Sequence, residues 1–300
     1  MVRRLISANS SEILSYTAEE LKQSIKASDG RTILSENVCV RDSFVGDITS
    51  SEIAAAYGAD LLLLNGIDLF NPYVAGLDKE DQNNFVEKLH ELTGRPIGAN
   101  LEPIDLNVNM NEERLLISEG RQATINTFKK AKELKLDFIC ITGNPGVGVS
   151  NKGIAEAIKL AKTHFNGLVI GGKMHSAGAD EPVINTEIVK DLIDAGVDIL
   201  MIPAVGTVPG VRDEMVYEAV DYAHKNNVLV MSAIGTSQEG SDISTIRQIA
   251  FKAKAAGVDI QHIGDAGFGG LAPVQNIYET SIVVRGIRHT ASRISRSINR

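Results

Sequence analysis

Five ionisable side chains stand where short apolar runs of the chain end, and together they could transfer protons on a small molecule. They are Glu36, Glu102, Lys173, His175 and Asp265. Carboxylates and histidines act as general acids and bases, and a lysine stabilises the negative charge of an enolate. This set indicates acid–base chemistry, provided that the fold brings the ends of these runs together.

We assign roles to these side chains from their chemistry. Glu36 and His175 are the candidates for moving a proton, and Lys173 is the third candidate catalytic residue. Lys173 has two interpretations, which the sequence does not separate: a clamp for an anionic group, or a desolvated amine that forms a Schiff base. Glu102 and Asp265 are the candidate ligands of a divalent cation, since a carboxylate near a protein interior needs a charged partner. Mg²⁺ is the ion we expect there, and no other cofactor is expected.

Glycine-rich turns indicate an anion-binding site. Gly267, Gly269 and Gly270 follow the last apolar run, and a helix is predicted after Pro273. Glycine lets backbone N–H groups approach an anion closely, and a helix N-terminus adds positive potential. We therefore predict that these glycines bind a phosphate or carboxylate group, and the alternative is that they only permit tight turns. The same prediction includes three residues from earlier loops: Asn144, Gly235 and Thr236.

The segment 142–152 resembles a phosphate-binding loop of nucleotide-binding proteins only superficially. It reads Thr-Gly-Asn-Pro-Gly-Val-Gly-Val-Ser-Asn-Lys and lacks the Gly-Lys-Ser/Thr ending that such a loop requires. We interpret it as a loop that covers a substrate.

Eight short apolar runs alternate with segments of helical periodicity, for example Glu112–Leu136. This alternation predicts a parallel sheet covered by helices, and runs without polar alternation predict strands buried on both faces. The eight runs are Thr32–Val38, Leu61–Gly66, Pro96–Leu101, Phe138–Gly143, Leu168–Gly172, Ile199–Ala204, Val228–Ala233 and Ile260–Gly264.

Eight such units in about 250 residues predict a (β/α)₈ TIM barrel. A weak repeat supports the count, because Asp137, Asp198 and Asp259 open even-numbered strands at a constant spacing of 61 residues. These aspartates fall at the amino ends of strands, where residues serve stability. The candidate residues above fall at the carboxyl ends, where the functional loops of such barrels lie.

The chain is expected to be one domain over residues 1–300. It divides into an N-terminal helical extension (1–30), the barrel (31–272) and a long C-terminal helix (273–300). Residues 17–20 form a capping-box pattern, Thr-Ala-Glu-Glu, and the extension is positioned to close the bottom of the barrel.

Composition and charge restrict the partners. The 300 residues carry a net charge of −8, and only 5% are aromatic, which argues against nucleic-acid binding. We find no run of about 18 apolar residues that would span a membrane and no signal-peptide pattern, so a cytoplasmic location is expected. Cys39 and Cys140 belong to no CxxC motif and are predicted to be buried free thiols.

The C-terminal segment is basic in an otherwise acidic chain. We predict a solvated helix end whose cations complement the helix dipole or pair with a neighbouring subunit in a homo-oligomer, which the sequence leaves open. A contact with RNA or a membrane is the alternative. Five arginines carry this pattern: Arg285, Arg288, Arg293, Arg296 and Arg300.

The stretch from Phe44 to Gly66, which reads Phe-Val-Gly-Asp-Ile-Thr-Ser-Ser-Glu-Ile-Ala-Ala-Ala-Tyr-Gly-Ala-Asp-Leu-Leu-Leu-Leu-Asn-Gly, resembles the opening of the phosphoenolpyruvate mutase/isocitrate lyase superfamily. The whole chain resembles an uncharacterised bacterial family of TIM barrels that are labelled phosphonomutase-like. The resemblance implies Mg²⁺ held by acidic residues at the ends of strands two to four. Here only Glu102 corresponds to such a ligand, because the fourth strand carries Thr142.

We therefore expect an enzyme that binds a small phosphorylated or carboxylated metabolite at the carboxyl-terminal face of the barrel. Its expected chemistry is that of a lyase or isomerase acting through an enolate-like intermediate. A Mg²⁺-dependent enzyme of the phosphoenolpyruvate mutase/isocitrate lyase type and a non-catalytic sensor of a phosphorylated metabolite are the alternatives. A structural barrel without a ligand is a third.

Overall fold

Eight parallel strands close into a barrel in which each strand binds the next along the chain and the last binds the first. The structure is a computed structural model and describes residues 2–300. The (β/α)₈ TIM barrel predicted from the sequence is confirmed. The strands are β1 (Thr32–Val38), β2 (Leu61–Asn65), β3 (Ile97–Leu101), β4 (Phe138–Ile141), β5 (Leu168–Gly172), β6 (Ile199–Pro203), β7 (Leu229–Ile234) and β8 (Ile260–Ile263).

Helices cover the outside of the barrel and precede and follow it. They are α1 (Ser10–Ile13), α2 (Ala18–Lys26), α3 (Ser50–Ala56), α4 (Phe85–Thr93), α5 (Ile125–Glu133), α6 (Asn151–His164), α7 (Thr186–Asp194), α8 (Asp213–Lys225), α9 (Ile243–Ala255) and α10 (Val274–Ile294). The helix predicted from Glu112 begins only at Ile125 and is preceded by a long loop. The C-terminal helix is not continuous, because Gly286 adopts a φ of 71° that breaks it.

Alternate residues of each strand face the barrel interior. One apolar cluster fills that interior and includes Leu34, Leu63 and Cys140, whereas the intervening residues, such as Leu62 and Ile139, pack under the helices. Both faces are apolar, which explains why the sequence shows no alternation. Near the carboxyl ends of five strands, the next inward-facing position is polar and buried. These positions form a polar layer: Glu36, Asn65, Asn100, Thr142 and His262.

The N-terminal extension closes the amino end of the barrel, as predicted. Leu5, Ile13, Leu21 and Ile25 are buried in the same cluster as the interior residues. The predicted capping box at Thr17 is formed, since its side chain accepts from the N–H of Glu20 and the Glu20 carboxylate binds back. Cys39 and Cys140 are buried free thiols, as predicted.

Four aspartates at the amino ends of the even-numbered strands bind the backbone of the preceding strand. Asp198, for example, accepts the N–H of Val169 at 2.9 Å, and its own N–H donates to the Val169 carbonyl at 3.0 Å. The other three bind their neighbours in the same way: Asp60 to Ile33, Asp137 to Ile97 and Asp259 to Val230. We call these contacts the aspartate staples. The aspartates that repeat every 61 residues thus have a structural role at the amino ends of the strands, as expected.

Each staple also has a basic side chain as a partner. Asp137 pairs with His90 at 2.7 Å, Asp259 with His224 at 2.8 Å, and Asp198 with Lys162 at 2.7 Å. These three pairs are partly exposed.

The staple at Asp60 is fully buried and uses arginines from the end of the chain. Arg285 Nη1 donates to Asp60 at 2.6 Å, and Arg293 Nε lies 2.7 Å from its other oxygen. Neither arginine side chain nor the carboxylate is exposed. The prediction of a solvated basic helix end is therefore wrong for Arg285 and Arg293, because the break at Gly286 folds this segment under the barrel.

No helix formed by residues 2–300 combines the length and the apolar character that crossing a membrane requires.

Replacing Asp60 with asparagine should destabilise the protein much more than the same change at Asp198. An asparagine keeps the acceptor for the backbone N–H at both positions. At Asp60 it leaves two buried guanidinium groups unpaired, which costs about 3–5 kcal/mol, whereas the partly exposed pair at Asp198 contributes about 1 kcal/mol or less. Urea unfolding of the two variants measures the difference. Equal losses of unfolding free energy would show that the arginines contribute nothing to the staple.

Candidate functional site

A polar cavity of about 150 Å³ lies at the carboxyl ends of the strands. Its lining comes from the ends of β1 to β4 and from the loops that follow β4, β5, β7 and β8. Of the residues predicted from the sequence, six line it, and Thr236 is the exposed one among them: Glu36, Asn144, His175, Gly235, Thr236 and Asp265. This is the face at which barrel enzymes place their chemistry.

Glu36 lies at the centre of the polar layer and is held by two neighbours. Its Oε2 lies 2.9 Å from Nε2 of His262, and its Oε1 accepts a hydrogen bond from the amide of Asn100. All three side chains are buried. The contact between Glu36 and His262 is therefore a buried carboxylate–histidine pair.

His262 is a site residue that the sequence reasoning missed. The apolar run hid it, because a strand buried on both faces does not reveal which residues face inward. The available signal was a single histidine within an apolar strand, two residues before Gly264.

Asp265 is positioned by a pair of amides. Asn65 Nδ2 donates to Asp265 Oδ2 at 2.8 Å, and the side chains of Asn65 and Asn144 exchange hydrogen bonds of 2.9 and 3.0 Å. Burial, and then the charge of Glu36, raise the pKa of Asp265 to about 7. Asp265 can therefore gain or lose a proton near neutral pH, which is the property of a general acid or base.

Glu239 is the second site residue that the sequence reasoning missed. It is 3% exposed, its Oε1 accepts the N–H of Ala266 at 3.0 Å, and its Oε2 has no partner within residues 2–300. Burial raises the pKa of this carboxyl. Its signal in the sequence was a carboxylate in the loop after the seventh strand, just beyond the Gly235–Thr236 turn.

The turn before Glu239 is strained. Thr236 and Ser237 have φ values of 56° and 69°, which residues other than glycine rarely adopt. Such conformations cost about 1–3 kcal/mol each and persist where the surrounding structure requires them. The Thr236 hydroxyl donates to the carbonyls of Thr207 and Gly235, at 2.5 and 2.7 Å, so it binds the loop itself.

His175 presents one ring nitrogen toward the cavity that it lines. Its Nδ1 accepts the N–H of Ala177 at 2.9 Å, and within residues 2–300 no protein group binds Nε2. An acceptor at Nδ1 requires that a neutral ring carry its proton on Nε2. Burial lowers the pKa of His175, and this favours the neutral ring.

Lys173 does not line the cavity. Its buried Nζ lies 2.5 Å from Oε1 of Glu181, and the same oxygen accepts the N–H of Asn151 at the start of α6. Burial lowers the pKa of this amine although Glu181 opposes the change. Lys173 therefore clamps a carboxylate of its own chain, and this placement gives no support to its predicted catalytic role.

Glu102 and Asp265 do not form the predicted cation site in this arrangement. Both oxygens of Glu102 are bound at 2.7 Å, one to Arg121 and the other to the N–H of Asn144. Over residues 2–300, no group of three or more histidine, cysteine, aspartate or glutamate side chains is placed to hold a metal ion. Of the two predicted ligands, Glu102 is thus already bound by protein groups at both oxygens.

The three glycines predicted to bind phosphate lie beside the loop after β1 and do not line the cavity. Gly270 has a φ of 74°, its carbonyl accepts the N–H of Val38, and a Cβ there would lie 2.6 Å from the Val38 Cβ. A Cβ on Gly269 would lie 2.9 Å from the Asp42 carbonyl oxygen, and one on Gly267 would overlap the Leu271 carbonyl oxygen. The positive φ of Gly269 and Gly270 and the close packing at all three positions agree with the alternative interpretation, that these glycines permit tight turns.

Acidic side chains line the cavity. Glu36, Glu239 and Asp265 line it, and within residues 2–300 neither a lysine nor an arginine does. A larger depression of about 600 Å³ lies at the other end of the barrel, near the staple at Asp259. Its polar groups are paired, His224 with Asp259 and Lys26 with Asn227 at 2.9 Å, so we place the functional site at the smaller cavity.

Comparison with known proteins supports the fold. A family model described as "Domain of unknown function (DUF7916)" matches residues 6–300, and no curated protein matches the sequence. A structure of 2,3-dimethylmalate lyase, a member of the PEP mutase/isocitrate lyase superfamily, is similar, with a TM-score of 0.52, 14% identity, and coverage of 85% of this chain and 82% of that one.

Two further structures are similar at the same level. A candidate lyase/mutase from Burkholderia cenocepacia J2315 gives a TM-score of 0.51 with 15% identity, over 87% of this chain and 83% of that one. The BexX/CysO complex of Amycolatopsis orientalis gives 0.53 with 14% identity, over 88% and 91%. At 14 to 15% identity, these likenesses show the barrel fold.

Changing Asp265 to asparagine should alter the pH dependence of stability. Between about pH 4 and pH 7 the folded protein keeps a proton on Asp265 that the unfolded chain has lost, so this residue lowers stability as the pH rises. The asparagine variant lacks this loss. Between pH 5 and pH 8 its free energy of unfolding should rise by about 2 kcal/mol relative to that of wild type. The full difference in pKa between the folded and unfolded states would give at most about 4 kcal/mol, and the partial exposure of Asp265 reduces this. Urea unfolding at both pH values tests this, with Asp180→Asn on the surface as the control, and a constant difference would contradict it.

Changing Gly270 to alanine should destabilise the protein without involving a ligand. The left-handed conformation and the contact with Val38 together cost about 3 kcal/mol. Gly210→Ala is the matched control, because Gly210 also has a positive φ, 85°, but open space around it, so only about 1 kcal/mol is lost. Thermal unfolding with and without inorganic phosphate measures both. Stabilisation by phosphate of wild type but not of Gly270→Ala would restore the phosphate prediction.

Proposed function

This chain belongs to the family described as Domain of unknown function (DUF7916), and we propose that it is a TIM-barrel enzyme of the lyase or isomerase type that moves a proton at the carboxyl-end cavity. The observation that carries the proposal is the placement of Asp265, a partly exposed carboxyl held by Asn65 against the buried charge of Glu36. A protein that only needed a stable barrel would not place three carboxylates in one cavity, since their mutual repulsion is unfavourable.

The carboxylates have different roles in this proposal. Glu36 accepts hydrogen bonds from Asn100 and contacts His262, and these contacts keep it in one place as a fixed charge. Asp265 has one oxygen bound to Asn65, which leaves its other oxygen for a substrate. As a carboxylate, Asp265 removes a proton from a carbon next to a carbonyl group, and as the resulting carboxylic acid it returns that proton. A pKa of about 7 makes both forms accessible near neutral pH.

His175 supplies the second function. Removing a proton next to a carbonyl group places negative charge on the carbonyl oxygen, and a neutral imidazole N–H can stabilise that charge by a hydrogen bond. The bond from the Ala177 N–H holds the ring so that Nε2 carries the proton. Asp265 as base and His175 as donor therefore account for an enolate-like intermediate with side chains of this chain alone.

The strained turn at Thr236 and Ser237 supports an enzymatic site rather than a purely structural one. It leads into the short helix Gln238–Gly240, which carries Glu239 into the cavity. Strained backbone of this kind concentrates at functional sites because it fixes a side chain against local preference. The Mg²⁺ expected from the resemblance is not part of this proposal, because Glu102 has no free oxygen.

The proposal predicts exchange of carbon-bound hydrogen with solvent. In D₂O the enzyme should replace the hydrogen next to the carbonyl group of its substrate, which proton NMR detects as loss of that signal. The panel contains small aldehydes and ketones bearing hydroxyl, carboxylate, phosphate or amino groups. Asp265→Asn should slow the exchange by about 100-fold or more, the usual contribution of a general base.

Asp180→Asn, on an exposed loop, is the matched control and should exchange at the wild-type rate. Exchange by Asp265→Asn at the wild-type rate would remove Asp265 from the mechanism. Binding of panel members without exchange from any of them would overturn the enzymatic proposal in favour of the sensor.

A further inference from the structure

The cavity contains buried hydrogen-bond acceptors that the protein leaves unpartnered. Oδ1 of Asn100 and Oε2 of Glu239 are buried and have no hydrogen-bond donor within residues 2–300. Both residues line the cavity and are no more than 3% exposed. A buried acceptor without a donor costs about 1–3 kcal/mol, so a molecule that brings donors into this cavity is stabilised by it.

The orientation of Asn100 follows from its neighbour. Glu36, when ionised, can only accept hydrogen bonds, so the amide NH₂ of Asn100 must face it. The oxygen of Asn100 therefore points away from Glu36 and remains an acceptor. Glu239 is fixed in a similar way, because the N–H of Ala266 occupies one of its oxygens and leaves the other free.

The charge of the cavity adds to this pattern. Glu36, Glu239 and Asp265 contribute carboxyl groups, and within residues 2–300 no lysine or arginine lines the cavity. Lys173, next to the lining residue Met174, is bound by Glu181. An anionic group entering the cavity would meet acceptors and negative charge, whereas a cationic donor would be attracted by both.

We propose that the cavity binds its substrate through a primary ammonium group, which donates to Glu239 and Asn100. An ammonium group has three N–H donors and no acceptor, and this matches a cavity that offers acceptors. The inference rests on the proposed function, because it assigns the substrate class of the same site. It replaces the anionic metabolite expected from the sequence with an amino-substituted carbonyl compound.

Three two-carbon probes of similar size test the charge preference directly. They are ethanolamine, which is a cation at neutral pH, ethylene glycol, which is neutral, and glycolate, which is an anion. Binding is followed by protein NMR, with shifts at the backbone amides of Ala266 and Ala177 as the reporters of the cavity. Ethanolamine should bind at least about tenfold more tightly than glycolate, and ethylene glycol should lie between them.

Glu239→Gln gives the matched variant. Glutamine keeps the bond from the Ala266 N–H and removes only the charge. Ethanolamine binding should weaken about tenfold or more, whereas ethylene glycol binding should hardly change. The exposed Glu119→Gln is the control and should bind all three probes like wild type.

Two results would overturn the inference. The first is glycolate or inorganic phosphate binding at these amides as tightly as ethanolamine. The second is MgCl₂ shifting the same amides when ethanolamine does not, which would make the acceptors ligands of a metal ion.

The outcome is separable from that of the proposed function. Solvent exchange from an anionic carbonyl compound, without ethanolamine binding, would keep the enzyme and reject the amine. Ethanolamine binding without exchange from any carbonyl compound would keep the amine site and reject proton transfer.

Discussion

The register between neighbouring strands is the constraint on which the rest of the structure depends, and the aspartate staples hold it. Each staple joins one aspartate to one residue of the preceding strand by two hydrogen bonds. Side chains in a strand alternate between the two faces, so a shift of one residue would turn the inward set outward. Glu36, Asn100 and His262 would then face the helices instead of one another. Contacts at the amino end of the barrel thus position the chemistry at the carboxyl end.

The sequence was sufficient for the barrel because its signals are local. Each strand is a short apolar run and each βα unit repeats, so eight runs predicted eight strands with bounds close to those observed. The helix predicted from Glu112 begins only at Ile125, because the residues before it form a loop. The ion pair of Arg121 with Glu102 holds this loop, residues 102–124, against the end of β3. Helical periodicity does not contain that information.

The site was predicted only in part, since its composition depends on which face of each strand a residue occupies. Glu36, His175 and Asp265 reach the cavity, whereas Lys173 stands on the opposite face from its inward neighbours Ile170 and Gly172 and pairs with Glu181. Strands buried on both faces carry no polar alternation that would separate these cases. For the same reason His262 was missed. The glycines near residue 270 were misleading for another reason, because a glycine-rich sequence is typical both of ligand-binding loops and of closely packed turns.

The burial of Asp60 also determines when this molecule can fold. Its two guanidinium partners come much later in the chain, Arg285 225 residues after Asp60 and Arg293 later still, and the carbonyl of Arg300 accepts the N–H of Ser11 at the same end. A nascent chain that has already made β1 and β2 still holds an uncompensated charge where the first staple must form. The amino end of the barrel is therefore completed only after all eight strands have been made. Loss of residues 285–300 would leave the chain without this closure, although every strand had been made.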